Sequence, residues 1–252
     1  MDSILVFPGG STAACGFAAD CLRRAGIALV DHPSPEVTHL LLDVPSFGPD
    51  GSLRGGGRAE SLLERLPPAV TVVGGNLNHP ALKGYPVLDL LTDAGYLAQN
   101  AAITAECALR AAAPKLTAVL PECPTLVIGW GRIGKCLGRL LKSMGAEVTI
   151  AARKEADRAM LRALGFEALD TARLDDVLPR CRLIFNTVPQ MLLPEDRLKA
   201  CKDCVKIDLA SQAGMAGPDV LWARGLPGKL APESSGRLIA KTFLKLSGEG
   251  TL

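Results

Sequence analysis

Three glycines, Gly129, Gly131 and Gly134, have the spacing G-x-G-x-x-G and could hold an anionic ligand. An apolar run at 126–128 precedes them, a helical pattern follows, and a second apolar run occupies 148–152. This order is typical of a dinucleotide-binding strand–turn–helix–strand unit, in which the helix N-terminus faces a pyrophosphate. The first glycine makes the turn, the second admits the phosphates, and the third lets the helix pack on the strand. We therefore expect the whole turn to bind a dinucleotide: Gly129, Trp130, Gly131, Arg132, Ile133 and Gly134. The alternative is the same unit without a ligand.

The end of the second apolar run indicates which dinucleotide would bind. An NAD site usually has an acidic residue there, about 20 residues past the glycines, to accept from the ribose 2′-OH. This sequence has Arg153 and Lys154 instead. A guanidinium can hold a 2′-phosphate through paired donors, so the pattern favours NADP over NAD. The alternative is that both cations are solvated at a helix start, with Glu155 and Asp157 as their partners.

Polar residues follow two later apolar runs, at 182–186 and 205–209. In doubly wound sheets, ligands lie beyond the carboxyl ends of the strands, so these positions predict a nicotinamide pocket. We expect cofactor contacts from Asn186, Thr187, Val188, Pro189 and Asp208, with Ser211 close by. For Asp208 a hydrogen-bonding role that fixes its loop is an equal alternative.

Composition limits the function classes. The basic residues are scattered and only two Trp and two Tyr accompany them, so we expect no nucleic-acid partner. The first ten residues have neither a basic leader nor a long apolar stretch, and we expect no membrane span. The eight cysteines lie mostly inside predicted helices and strands, as in a reduced, cytoplasmic protein. Cys201 and Cys204 form a lone C-x-x-C without a second pair at metal-ligand spacing, so we expect no metal.

Alternating short apolar runs and helical patterns predict an α/β protein with parallel sheets. We place an N-terminal α/β domain at 1–100, a connecting helix at 101–118 and the dinucleotide-binding domain at 119–235. Thr12 or Ser11 is the predicted N-cap of the first helix, and Thr104 that of the alanine-rich connecting helix. Ser234 or Ser235 is the predicted N-cap of a last helix over 238–246.

Five segments, in this order, resemble the A-subunit family of dipicolinate synthase, a spore-associated bacterial oxidoreductase. They are YLAQNAAITAECAL, LVIGWGRIGKCLGRLLKSMGAEVTIAAR, LIFNTVPQMLL, VKIDLASQAG and LPGKLAPESSGRLIA, and they extend over most of residues 70–245. The resemblance implies two Rossmann-like, doubly wound domains, the second binding NADP. It also implies that the last helix, within 236–252, returns to pack on the first domain.

The resemblance further implies that a dihydropyridine dicarboxylate, dihydrodipicolinate, loses a hydride to NADP⁺ and a proton to a base, giving aromatic dipicolinate. Binding two carboxylates needs donors and cations. The candidate substrate residues are Asn100, Thr104, Ser211, Lys229, Ser234 and Ser235, and the candidate catalytic residues are Glu106 as base, Lys229 and Ser211. A flavoprotein partner, the B subunit of that enzyme, is implied by the resemblance alone, and we expect a homo-oligomer.

Two alternatives differ from this assignment. One is an NADP-dependent dehydrogenase of another small carboxylate. A D-hydroxyacid dehydrogenase would need a histidine in the second domain, whereas His32, His39 and His79 all precede that domain, which argues against this alternative. The other is a regulatory protein that binds NADP without turnover. Ser11 and Thr12 replace the charged residues that the family has after its paired glycines, which suits this second alternative.

Overall fold

The computed structural model describes residues 4–250, so residues 1–3 and 251–252 of the predicted domain segments 1–100 and 236–252 lie outside it. The chain divides into two units, one formed by 1–100 with 227–252 and the other by 101–226. The strands are β1 Leu5–Pro8, β2 Ala28–Leu29, β3 His39–Leu41, β4 Thr71–Gly74, β5 Val87–Asp89, β6 Thr125–Ile128, β7 Val148–Ala151, β8 Glu167–Leu169, β9 Leu183–Asn186, β10 Val205–Asp208 and β11 Val220–Trp222. The α-helices are α1 Ala13–Arg24, α2 Ala59–Leu63, α3 Ala94–Ala112, α4 Arg132–Ser143, α5 Glu155–Ala163, α6 Glu195–Leu198, α7 Leu226–Leu230 and α8 Pro232–Ser247.

The first unit is built on a five-stranded parallel sheet in the order β2-β1-β3-β4-β5. Its strand order reverses between β1 and β3, as in flavodoxin-like sheets. Thr12 is the N-cap of α1, as predicted, and its hydroxyl accepts from the Cys15 amide. The last helix, α8, packs on α1 at close range, because a Cβ on Gly236 would lie 2.5 Å from Phe17 Cβ and 2.6 Å from the Ala14 carbonyl oxygen. The predicted return of the last helix to the first domain is confirmed.

The second unit contains a six-stranded parallel sheet in the order β11-β10-β9-β6-β7-β8. Counted from β6, this is the strand order 3-2-1-4-5-6 of dinucleotide-binding domains, with the reversal between β6 and β9. Strands β6, β7 and β9 are buried along their whole length, as apolar runs covered by helices on both faces should be. The predicted fold of two Rossmann-like parallel-sheet domains is confirmed.

Two predicted helix starts were wrong. Helix α3 begins at Ala94, so Thr104 is a buried residue in its middle and not an N-cap. Helix α8 begins at Pro232 after Ala231, which places Ser234 and Ser235 inside the first turn. In both cases the residue type is common at N-caps, but the helix begins further upstream. Good helix formers precede Thr104 in α3, and Pro232 takes the first position of α8.

Candidate dinucleotide site

The turn between β6 and α4 is shaped by two of its three glycines. Gly129 has a φ of +105°, and a Cβ there would lie 2.9 Å from Val188 Cγ2. A Cβ on Gly134 would overlap the carbonyl oxygen of Gly129 and lie 3.0 Å from its carbonyl carbon. Side chains are therefore excluded at both positions. At Gly129 the causes are its positive φ and the neighbouring Val188 side chain, and at Gly134 the start of α4 crosses the end of β6 at backbone contact distance.

Gly131 differs from these two glycines because the protein itself does not require it. It is the N-cap of α4 with a φ of −79°, and a Cβ added there would meet nothing within 4 Å. The cap has no side-chain hydrogen bond, and the first turn of α4 holds no acidic residue. The backbone N–H groups at this helix start thus face open space, and an anion can approach the Cα of Gly131 directly.

A cavity of about 310 Å³ opens beside this turn. It lies at the carboxyl ends of β6 and β7, where ligands bind in doubly wound sheets. The turn, the end of β7 and two later loops contribute its lining: Gly129, Trp130, Gly131, Ala151, Ala152, Arg153, Lys154, Asp157, Thr171, Val188, Gln190 and Leu192. The open glycine face and the two cations in this lining fit an anionic nucleotide.

Six of the predicted cofactor residues line the cavity: Gly129, Trp130, Gly131, Arg153, Lys154 and Val188. Seven do not: Arg132, Ile133, Gly134, Asn186, Thr187, Pro189 and Asp208. Sequence reasoning missed the small residues Ala151 and Ala152, which a closer view of the β7 end could have found, because a close-approaching ligand needs small neighbours. It also missed Thr171, Gln190 and Leu192, for which no local pattern gives a signal.

Arg153 and Lys154 form the basic edge of the cavity. Both side chains are exposed, and neither forms an ion pair with another residue within 4–250. Of the two acidic partners in the alternative, Glu155 pairs instead with Arg162 and Arg158, and these hydrogen bonds lower the pKa of its carboxyl. Asp157 forms no ion pair with either cation and lines the same cavity. Two unpaired cations can therefore meet an anionic ligand here.

The polar residues that end β9 and β10 form a hydrogen bond with each other and do not line the cavity. Asn186 and Asp208 are 0% exposed, and Asn186 Nδ2 donates to Asp208 Oδ1 at 2.8 Å. Asp208 also accepts from the backbone amides of Ala210, Gly214 and Met215 at 3.1, 2.7 and 3.0 Å. The structure thus gives Asp208 the loop-fixing role that the sequence left open beside a ligand-binding one.

Thr187 also fixes a loop, the one that lies beside the glycine turn. Its hydroxyl and its amide both donate to the Ile128 carbonyl at 2.9 Å. The neighbouring Val188 amide donates to Asn186 Oδ1 at 3.1 Å, and Asn186 Nδ2 donates to the Val188 carbonyl at 3.0 Å. These bonds fix the loop that carries Val188 into the cavity wall, so Asn186 and Thr187 act on the cavity through the backbone.

The candidate substrate and catalytic residues lie on both units. Asn100, Lys229, Ser234 and Ser235 belong to the first, and Thr104, Glu106 and Ser211 to the second. Glu106, Ser211, Lys229 and Ser234 are exposed.

The start of α8 has no capping side chain. Ser235, in its first turn, is 7% exposed, and its hydroxyl has no hydrogen-bond partner in the part of the chain that the structure describes. A buried hydroxyl without a partner is uncommon, and an uncapped helix start attracts anions. These two features support the prediction that this segment contacts an anionic ligand.

All eight cysteines are free thiols. Burial, with the neighbouring Cys201 as a smaller cause, raises the pKa of Cys181 and of Cys204 to about 12, so these thiols remain protonated at neutral pH. Between residues 4 and 250, no group of three or more His, Cys, Asp or Glu side chains could hold a metal ion. No helix in that range is both long and apolar enough to cross a membrane.

Fold and cavity together define a two-unit protein whose second unit has the strand order and glycine turn of a dinucleotide-binding domain. Residues 108–208 match the family model of the D-isomer specific 2-hydroxyacid dehydrogenase, NAD binding domain. That range contains the glycine turn, the basic edge and the Asn186–Asp208 hydrogen bond.

More specifically, the chain is like the A subunit of dipicolinate synthase. It is 32% identical to that protein of Bacillus subtilis (strain 168) over 132 residues, which are 49% of this chain and 44% of that relative's length. The crystal structure of the dipicolinate synthase A subunit from Bacillus halodurans matches with a TM-score of 0.84 at 22% identity, covering 98% of each chain. The crystal structure of the corresponding Bacillus subtilis protein matches with a TM-score of 0.79 at 22% identity, covering 98% of this chain and 96% of that one.

Proposed function

We propose that the protein is an NADP-dependent oxidoreductase that converts dihydrodipicolinate to dipicolinate. The observation that carries this proposal is the cavity beside the glycine turn, whose edge has Arg153 and Lys154 where an NAD site has a carboxylate. The similarity to the A subunit of dipicolinate synthase directs the choice of substrate. Dihydrodipicolinate and NADP⁺ would give dipicolinate, NADPH and a proton, which balances atoms and electrons.

The cofactor proposal assigns a role to each part of the cavity. The free N–H groups at the start of α4 would hold the pyrophosphate, which Gly131 lets approach. Arg153 would grip the 2′-phosphate with paired donors, and Lys154 would add charge. Bound NADP would supply the hydride acceptor.

The substrate proposal rests on the need to orient a ring that carries two carboxylates. Aromatisation supplies driving force, so binding and orientation are the main tasks of the protein. We assign the carboxylates to the predicted donors and cations: Asn100, Thr104, Ser211, Lys229, Ser234 and Ser235. Glu106 is exposed and is assigned as the proton acceptor.

A titration and a coupled assay test these proposals. NADPH fluorescence should report binding, and Arg153→Glu should remove the preference for NADPH over NADH. Dipicolinate absorbance should rise when aspartate semialdehyde, pyruvate and the lysine-pathway synthase supply the substrate. Failure to bind either NADPH or NADP⁺ at millimolar concentration would refute the cofactor and the reaction together.

A second candidate, a regulatory protein that binds NADP without turnover, is favoured by the first loop of the sheet in the first unit. Asp43 is 3% exposed and accepts from the Ser11 and Thr12 amides at 3.0 Å each and from the Thr12 hydroxyl at 2.5 Å. These donors lie at the β1–β3 reversal, where a substrate carboxylate could bind, and a carboxylate of the protein already occupies them. NADPH binding without dipicolinate formation, with or without the flavoprotein partner, would favour this candidate.

A further inference from the structure

Arg158, in α5, forms more bonds than any other cation near the cavity. Its NH1 donates to the Ala152 carbonyl at 2.8 Å and to the Arg153 carbonyl at 2.7 Å. The same NH1 lies 2.6 Å from Asp170 Oδ2, while NH2 lies 2.8 Å from Glu155 Oε2. The side chain is only 14% exposed. One guanidinium thus joins the turn after β7, the start of α5 and the segment after β8.

The backbone that Arg158 holds is part of the cavity wall. Ala152, Arg153 and Thr171 all line the cavity, and Thr171 directly follows Asp170. The two carbonyls that Arg158 binds flank the Cα of Arg153, so the direction in which the Arg153 side chain leaves the backbone depends on this contact. The guanidinium itself does not line the cavity.

We propose that Arg158 is a positioning residue that sets the selectivity of the site for the 2′-phosphate by fixing the backbone of Arg153. This inference rests on the proposed NADP function and adds to it a residue that never touches the cofactor. The planar fork of arginine suits the task, because it can donate to two carbonyls and two carboxylates at once, which a lysine cannot do.

An ordinary helix-surface ion pair does not explain these contacts. Arg162 provides the comparison, because it pairs with the same Glu155 one turn later at 2.5 Å, but it is 52% exposed. Exposed pairs of this kind contribute little. Arg158, in contrast, is largely buried and bonds to main-chain carbonyls, so its removal would free a segment of backbone.

The test compares the dissociation constants of NADPH and NADH for matched variants. Arg158→Met keeps the length of the side chain and removes its donors, and we expect the NADPH preference to fall about tenfold, as for the loss of one charge-assisted bond. The NADH constant should change less than about twofold, because NADH has no 2′-phosphate to position. Arg162→Met, the matched control, should leave both constants unchanged.

Two further variants separate positioning from charge. Arg158→Met leaves Asp170 without its partner, so Arg158→Met/Asp170→Asn should keep the loss of selectivity if backbone position is the cause. Recovery of selectivity in that double variant would overturn the positioning role. In Arg153→Met, the added Arg158→Met change should cause no further loss, because Arg158 acts through Arg153.

The test is completed by a variant that retains the charge and by the nucleotide preference of the wild-type protein. If Arg158→Met does not fold, Arg158→Lys keeps the charge but lacks the planar guanidinium. It should still lower the preference for NADPH over NADH about threefold. A wild-type protein that prefers NADPH, with variants at Arg158 that keep the full preference, overturns the role of Arg158 and leaves the proposed function intact. A wild-type protein without any preference for NADPH overturns both.

Discussion

Replacing Gly131 by alanine should weaken dinucleotide binding without harming the fold. The added Cβ meets no protein atom within 4 Å, and the φ of −79° suits any residue. The new methyl group therefore points into the space where the phosphates should approach the start of α4. It would separate a phosphate from the backbone N–H groups.

The size of the effect follows from the bonds at stake. A hydrogen bond to a charged group contributes about 1.5–3 kcal/mol, so losing one should raise the dissociation constants of NADPH and NADH roughly 10- to 150-fold. Alanine is a poorer N-cap than glycine by about 1 kcal/mol, but it lowers the entropy of the unfolded chain by a similar amount. The free energy of unfolding should stay within about 1 kcal/mol of the wild-type value.

Gly134→Ala is the matched comparison in the same turn. Its Cβ would overlap the Gly129 carbonyl oxygen, so α4 and β6 must move apart. Overpacking of this kind costs about 1–3 kcal/mol and occasionally more, and the Tm should fall by several degrees. Thermal unfolding without nucleotide and fluorescence titration with NADPH separate the two glycines. Wild-type affinity in a folded Gly131→Ala protein would show that no phosphate approaches this Cα.

Three further perturbations test the packing and the charges of the two units. Gly236→Ala should destabilise the first unit by about 1–3 kcal/mol in urea unfolding, because its Cβ would lie 2.5 Å from Phe17 Cβ; unchanged stability would contradict the close α1–α8 crossing. Burial lowers the pKa of His39, so the contribution of this residue to stability is complete above pH 6.5 and is lost as the pH falls toward the folded pKa. The urea midpoint of the wild-type protein should therefore drop between pH 7.5 and 5.5. It should drop less in His39→Gln. Asp219→Ala should cost about 1–3 kcal/mol, less than for a fully buried pair, because it leaves the ammonium of Lys206 without its carboxylate when that side chain is only 2% exposed. Adding Lys206→Met to Asp219→Ala should recover most of the lost free energy of unfolding. If that free energy does not recover, an unpaired charge is not the cause of the loss.

The glycine turn could be predicted from the sequence because its determinants are local. The spacing of Gly129, Gly131 and Gly134 between an apolar run and a helical pattern already specifies a strand, a bend and a helix. The structure confirms that bend and adds a distinction among the glycines. Gly129 and Gly134 satisfy the packing of the chain, whereas only Gly131 leaves room for something else.

Helix starts were the weak point of the sequence interpretation. Thr104 looked like an N-cap, yet α3 had already begun ten residues earlier at Ala94. Local preference could not decide these cases, because tertiary packing of the alanine-rich face stabilises the longer helix.

The sequence by itself determined the α/β class, the parallel sheets, the dinucleotide turn and the basic pair at the end of β7. Each of these depends on residues close together in the chain, whose spacing repeats the period of a helix or strand. Only the tertiary structure decided that Asp208 accepts from backbone amides, and that Arg158 binds the carbonyls of the turn carrying Arg153. Those roles depend on directions that the folded backbone sets. The pairing of β9 with β10 brings Asn186 to Asp208, and the placement of α5 turns Arg158 back onto the carbonyls of Ala152 and Arg153.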